Sequence, residues 1–162
     1  SAVCIALTIA RIIKWRCGII DQIEIEKIID DSAKYVKDLT PYMEAEARLF
    51  TQADSLEKLN LKSFAPLALQ AVGCAFWALR KNLRYVEAME AIVKAGGDAA
   101  TNCVVVGAVI GAKCGIGGIP IDLMQFFWKG SGVCRDLIAL FKSMDIDFKM
   151  PQYDEYFTMK FE

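Results

Sequence analysis

A glycine pair followed by an acidic and a hydroxyl side chain is the part of this sequence best suited to chemistry. In the stretch KAGGDAATN, residues 94–102, Gly96 and Gly97 precede Asp98, and Thr101 follows three residues later. Carboxylate and hydroxyl oxygens suit a hard cation such as Mg²⁺. A glycine turn that opens into a helix can also present free N–H groups to a phosphate. The pattern therefore permits a metal site on Asp98 and Thr101, or a phosphate-binding turn on Gly96 and Gly97.

A helix cap explains the same residues more simply. An aspartate directly before a helix commonly accepts a hydrogen bond from the backbone N–H three residues later, which here belongs to Thr101. Gly-Gly-Asp is a common sequence in proteins, so spacing alone favours the cap over the metal or phosphate site.

Helical patterns lie on both sides of this turn. The stretch LRYVEAMEAIVKA is amphipathic and stops at Gly96 and Gly97. The helix after the turn, from about Ala99 to Lys113, carries Gly107 and Gly111 four residues apart, which predicts a flat face for tight core packing. We expect further helices over residues 1–15, 21–36, 40–58, 64–82, 120–128 and 133–141.

These patterns predict an all-α fold made of one compact multi-helix domain, residues 1–144. The segment 145–162 loses helical periodicity and mixes acids with aromatic residues. It is too aromatic for a typical disordered linker, so we expect a docking arm on this domain or on a neighbour.

The composition restricts the partners. Hydrophobic residues make up 55% of the 162 residues, which indicates unusually complete burial or an apolar face covered by a protein partner, for instance in a larger complex. The formal net charge is −1 and no basic run occurs, which argues against a nucleic-acid partner. We expect no membrane span, because the most apolar run, Cys103 to Ala112, is too short to cross a bilayer.

The chemistry open to the chain is limited by its cysteines and its lack of histidine. The six cysteines are scattered without a C-x-x-C pair, and no histidine is present. A zinc site is therefore not expected, and neither is a Ser-His or Cys-His catalytic arrangement. We interpret the cysteines as buried, reduced thiols, which indicates an intracellular, reducing compartment, whether cytoplasm or organelle.

The stretch AGGDAATNCVVVGAVIGAKCGIGGIP resembles the C-terminal signature of the ADP-ribosylglycohydrolases. That signature is G-G-D-x-D-T-N, then an apolar segment with G-A-x-x-G-A-x-x-G, and later I-P. The resemblance implies an all-α fold. In active members it also implies a pair of Mg²⁺ ions that position ADP-ribose and a water for cleavage of an N- or O-glycosidic bond.

In the family's signature both aspartates and the threonine hold metal, and one of these ligands is missing here. By position, Asp98 and Thr101 match the first aspartate and the threonine, whereas the second aspartate falls on Ala100. Active members are also about twice as long, with further ligands in an N-terminal Thr-Asp-Asp stretch. Asp30 and Asp31 do not match that stretch, and we interpret them as a solvated helix face. The metal pair Asp98 and Thr101 is thus predicted to be vestigial, with no catalytic residue.

Two hypotheses follow from the resemblance. The chain is a non-catalytic relative that keeps the helical scaffold for assembly, as the family's fold has been reused in a lens crystallin. Alternatively, it is the C-terminal half of a Mg²⁺-dependent ADP-ribosyl hydrolase, completed by another chain or by a missing N-terminal half. Ala100 favours the first, for which no cofactor is expected. Retained ADP-ribose binding without hydrolysis, through Gly96 and Gly97, is a third possibility.

Overall fold

The computed structural model describes residues 1–20, 24–39, 48, 50–63, 67–124, 139–140 and 142–144. By its contacts the chain divides into two units, Ser1–Pro120 and Ile121–Glu162. All regular elements within the described residues are helical, so the predicted all-α fold is confirmed. The α-helices of the first unit are α1 (Ala2–Arg16), α2 (Ile25–Leu39), α3 (Leu67–Arg80), α4 (Tyr85–Ala95) and α5 (Ala99–Cys114), with 3₁₀ helices at Glu57–Leu59 and Ile116–Gly118.

Helix α1 ends where the sequence predicted, because Gly18 adopts a φ of +69° that other residues avoid. Its inner side buries Cys4, Thr8 and Ile12. The Thr8 hydroxyl donates to the Cys4 carbonyl oxygen at 2.8 Å and lies 3.4 Å from the Ser32 hydroxyl of α2. These buried hydroxyls have partners and so join α1 to α2 without an unsatisfied group. The predicted first residues of the second helix, 21–23, lie outside the described residues.

The helix predicted over residues 40–58 is wrong at its C-terminal end, and its start lies outside the described residues. Helical geometry holds at residues 48, 50 and 51, after which the chain turns and forms the 3₁₀ helix Glu57–Leu59. Asp and Ser at positions 54 and 55 offer the backbone local hydrogen bonds that compete with a helix. Asn60 then adopts a left-handed φ of +45°, which ends the segment.

Helix α3 is the apolar helix that the sequence predicted, and its residues 74, 75, 76 and 78 are fully buried. Helix α4 begins with the Glu87 carboxylate accepting the N–H of Arg84 at 3.0 Å, and it buries Ala88 and Ile92. Helix α5 is central to the unit, since it packs against α1, α3 and α4. A Cβ built on Gly107 would lie 3.2 Å from the Tyr85 hydroxyl of α4, and one built on Gly111 would lie 3.8 Å from the Tyr85 ring, so both glycines pack closely against α4 as predicted.

The C-terminal ends of α1, α3 and α5 lie together. Arg16 donates from Nη1 to the Lys113 carbonyl oxygen at 2.7 Å, and the Lys113 ammonium bonds the Asn82 side chain just after α3. The cations at these ends interact favourably with the partial negative charge of helix C-termini. The turn before α5 therefore lies at the opposite end of that helix.

In the second unit, residues 121–124 are helical, as are residues 139, 140, 142 and 143. These fall within the two helices predicted over 120–128 and 133–141, whose remaining residues lie outside the described ones. The tail at 145–162 lies outside them as well, and the predicted domain over residues 1–144 stays a prediction.

Among the five described cysteines, burial differs from the prediction at three positions: Cys17 is exposed, and Cys103 and Cys114 are only partly buried, while the sixth cysteine lies outside the described residues. Cys4 and Cys74 are buried, whereas Cys17 is exposed; all five cysteines within the described ranges, Cys103 and Cys114 included, are free thiols. Cys17 is exposed because it follows the last turn of α1, beyond the core contacts of that helix. Among the helices that the structure describes, none has the length and apolar composition to cross a membrane.

Candidate functional site

The turn before α5 brings Gly96, Gly97, Asp98 and Thr101 together at the helix start. Asp98 is the N-cap residue, and its Oδ1 accepts a hydrogen bond from the Thr101 backbone N–H at 3.2 Å. The Asp98 carbonyl oxygen accepts the first helical hydrogen bond, from Asn102 N at 3.1 Å. The cap predicted from the spacing is therefore present, and one carboxylate oxygen is engaged in it.

Gly96 and Gly97 are required by backbone geometry. Their φ values are +78° and +71°, in the left-handed region that favours glycine. At Gly97 there is also no room for a side chain, because a Cβ built there would overlap the carbonyl oxygen of Leu61. The loop after the first 3₁₀ helix, residues 60–63, thus packs directly behind the turn.

Ala100 and Thr101 are exposed on the first turn of α5. Ala100 presents a methyl group where the quoted signature has a carboxylate, so Asp98 is the acidic residue that this turn retains. Within the described ranges, no group of three or more His, Cys, Asp or Glu side chains could hold a metal ion. A magnesium pair needs several oxygen ligands with compensating negative charge, and the residues of this turn do not fit one.

Asp30 and Asp31 lie on α2 and do not join this turn as metal ligands. Asp30 is exposed, as expected for a solvated face. Asp31 is half-buried, and its Oδ2 pairs with Nη1 of Arg11 at 2.5 Å. This ion pair joins α1 to α2 and gives Asp31 a structural role that the sequence pattern did not indicate.

Two polar side chains in the surroundings of the turn, those of Lys62 and Gln70, were not predicted from the sequence pattern. The side chain of Lys62 lies over Gly96, with its Cε at 3.6 Å from the position of a Cβ there. Gln70 of α3 is fully buried and donates from Nε2 to the Asn60 carbonyl oxygen at 3.2 Å and to the Ser63 hydroxyl at 3.3 Å. The signal for Gln70 was available, since it is the one polar residue between Leu67 and Trp77.

Two buried polar atoms lack a partner in the part of the chain that the structure describes. They are Oε1 of Gln70 and Nδ2 of Asn102. Asn102, the last residue of the quoted GGDAATN stretch, is 1% exposed on the inner side of α5. The Gln70 atom is a hydrogen-bond acceptor, and the Asn102 atom is a donor.

A surface pocket lies away from this turn. Its lining is formed by the start of α4 and the second 3₁₀ helix: Arg84, Tyr85, Val86, Glu87, Glu90 and Gly118. The Arg84 guanidinium pairs with the Glu87 carboxylate at 2.5 Å on its rim. The predicted site residues Gly96, Gly97, Asp98 and Thr101 are not among those that line this pocket.

The family model of the ADP-ribosylglycohydrolases matches residues 1–143. The chain belongs to this family. The match covers most of the 162 residues and so extends well beyond the quoted signature on both sides. No curated protein and no solved structure matches the chain significantly.

Membership in the ADP-ribosylglycohydrolase family agrees with the geometry of the turn. Gly96 and Gly97 adopt positive φ values, Asp98 caps α5, and Gly107 and Gly111 of α5 pack against Tyr85. The backbone of the signature segment therefore forms a glycine turn and a capped helix. The methyl side chain of Ala100, however, has no oxygen with which to bind a metal ion.

Proposed function

We propose that this ADP-ribosylglycohydrolase-family chain is non-catalytic and serves as a helical interaction subunit within a larger assembly. The observation that carries the proposal is the exposed Ala100, which replaces a carboxylate in the metal-binding pattern. Asp98 is left as the anionic group of the turn, and one of its oxygens caps α5. A threonine hydroxyl cannot replace the missing negative charge, so Asp98 and Thr101 remain as a vestigial metal pair.

The catalytic part of this proposal is tested by release of ADP-ribose. The purified chain is incubated with mono-ADP-ribosylated protein, in MgCl₂ or in EDTA, and free ADP-ribose is quantified. We expect no Mg²⁺-dependent release. Mg²⁺-dependent release by the chain, alone or with a co-purifying partner, would contradict the non-catalytic proposal.

The metal site is tested separately by restoring the carboxylate. Isothermal titration calorimetry with MgCl₂ compares the natural chain with Ala100→Asp and with Ala100→Asn, which adds a similar volume without the charge. Because ligand charge sets Mg²⁺ affinity, we expect Ala100→Asp to bind at least about tenfold more tightly than Ala100→Asn. Equal affinities would show that position 100 does not limit metal binding.

The interaction part of the proposal rests on the outer face of α1. This outer face consists of Val3, Ala6, Leu7, Ala10 and Ile13, which are all exposed and recur at helical spacing. Val3 is 43% exposed, Leu7 37% and Ile13 49%. A continuous apolar stripe on a helix is usually buried against another element. We propose that a protein partner covers it; no nucleic acid or membrane is proposed.

Association through this face is tested with one substitution and its matched control. Ile13→Lys places a charge in the outer face of α1, while Val93→Lys places the same charge at an exposed valine of α4. The natural chain and both variants are expressed in the native host and purified with whatever binds them. Light scattering after size-exclusion chromatography should show an assembly for the natural chain and for Val93→Lys, and its loss for Ile13→Lys. Clean monomeric behaviour of the natural chain at high concentration, without a partner, would contradict this.

The alternative function is the C-terminal half of a Mg²⁺-dependent ADP-ribosyl hydrolase, completed by another chain or by an N-terminal half. The geometry of Gly96, Gly97 and Asp98 favours it, because a glycine turn that opens into a helix suits phosphate binding. The ADP-ribose assay with the partner present separates the two proposals.

We also propose a reducing, intracellular compartment for this chain. Support comes from the cysteines of the described ranges, which are free thiols in positions such as the fully buried Cys74. Persistent free thiols are typical of reducing compartments.

A further inference from the structure

We draw no further inference here: the strongest candidate, the apolar outer face of α1, identifies no particular partner, because nothing in the described structure shows what covers it.

Discussion

Gly97 and Ala100 lie three residues apart and are constrained in different ways. Gly97 is fixed by a positive φ and by the backbone of Leu61 behind it. Ala100 is exposed, so core packing does not dictate its side chain. An aspartate at position 100 would therefore be compatible with the same fold. The missing carboxylate is a difference in chemistry that the scaffold itself did not require.

The constraint at Gly97 predicts the effect of adding one methyl group. Gly97→Ala and Gly18→Ala both place alanine at a positive φ, which costs about 1–2 kcal/mol. At Gly18 no atom lies near the new Cβ, whereas at Gly97 the Leu61 carbonyl must also move. We expect Gly97→Ala to lower the free energy of unfolding by a further 1–3 kcal/mol, roughly the cost of overpacking. Denaturant titration measures both variants, and equal losses would contradict the close contact.

At the scale of elements, α1 has two faces that differ in what covers them. Ile12 is fully buried, while the next residue, Ile13, belongs to the outer face. Two neighbouring isoleucines of α1 therefore differ in environment: Ile12 lies in the core, and Ile13 faces solvent.

This difference gives a matched pair of truncations. Ile12→Ala should lower the free energy of unfolding by about 2–5 kcal/mol, because it removes buried methylene groups and leaves a cavity. Ile13→Ala should change it by less than about 0.5 kcal/mol, as expected at a surface position. Denaturant unfolding of the isolated chain measures both. A large loss for Ile13→Ala would mean that the outer face is already buried within the chain.

The sequence predicted most helices of the first unit because periodicity and glycine stops are local signals. The ends of α1 at Gly18 and of α4 at Gly96 follow from such stops, and so does the cap at Asp98. The helix predicted through residue 58 was wrong after residue 51, because Asp54 and Ser55 offer the backbone local hydrogen bonds that compete with a helix.

The residues that surround the candidate site could not be predicted from the sequence, because they come from distant parts of the chain. Leu61 meets Gly97, and Gln70 bonds the Asn60 carbonyl, through contacts between residues far apart in the chain or in different elements. No local pattern encodes such contacts. The lack of a side-chain oxygen at position 100, in contrast, follows directly from the identity of Ala100.

At the scale of the whole molecule, buried thiols couple the fold to pH. Burial raises the pKa of the Cys74 thiol to about 12, with a smaller contribution from Cys103 nearby on α5. In an unfolded chain a thiol ionises near pH 8.5. The folded protein therefore holds this proton over a range in which the unfolded chain releases it.

The sign of the pH effect follows from this difference. The stabilisation is fully present below about pH 8.5 and is lost as pH rises towards the folded pKa of Cys74. We expect the free energy of unfolding to fall with rising pH, by at most about 1.4 kcal/mol per pH unit from this group. Urea titrations from pH 8 to pH 11 should show a shallower fall for Cys74→Ala. Cys17→Ala, which removes an exposed thiol, is the control, and identical slopes for Cys74→Ala and the natural chain would contradict the assignment.

The hydrogen bond from Arg16 to the Lys113 carbonyl oxygen joins residues 97 positions apart in the chain. A ribosome adds roughly 5–20 residues per second, so α1 emerges several seconds before α5 exists to pack against it. During that interval the helix can bury its inner side only against α2 and other early segments. Nascent chains of this protein should accordingly expose, besides the outer face of α1, the part of its inner side that α5 covers in the folded protein.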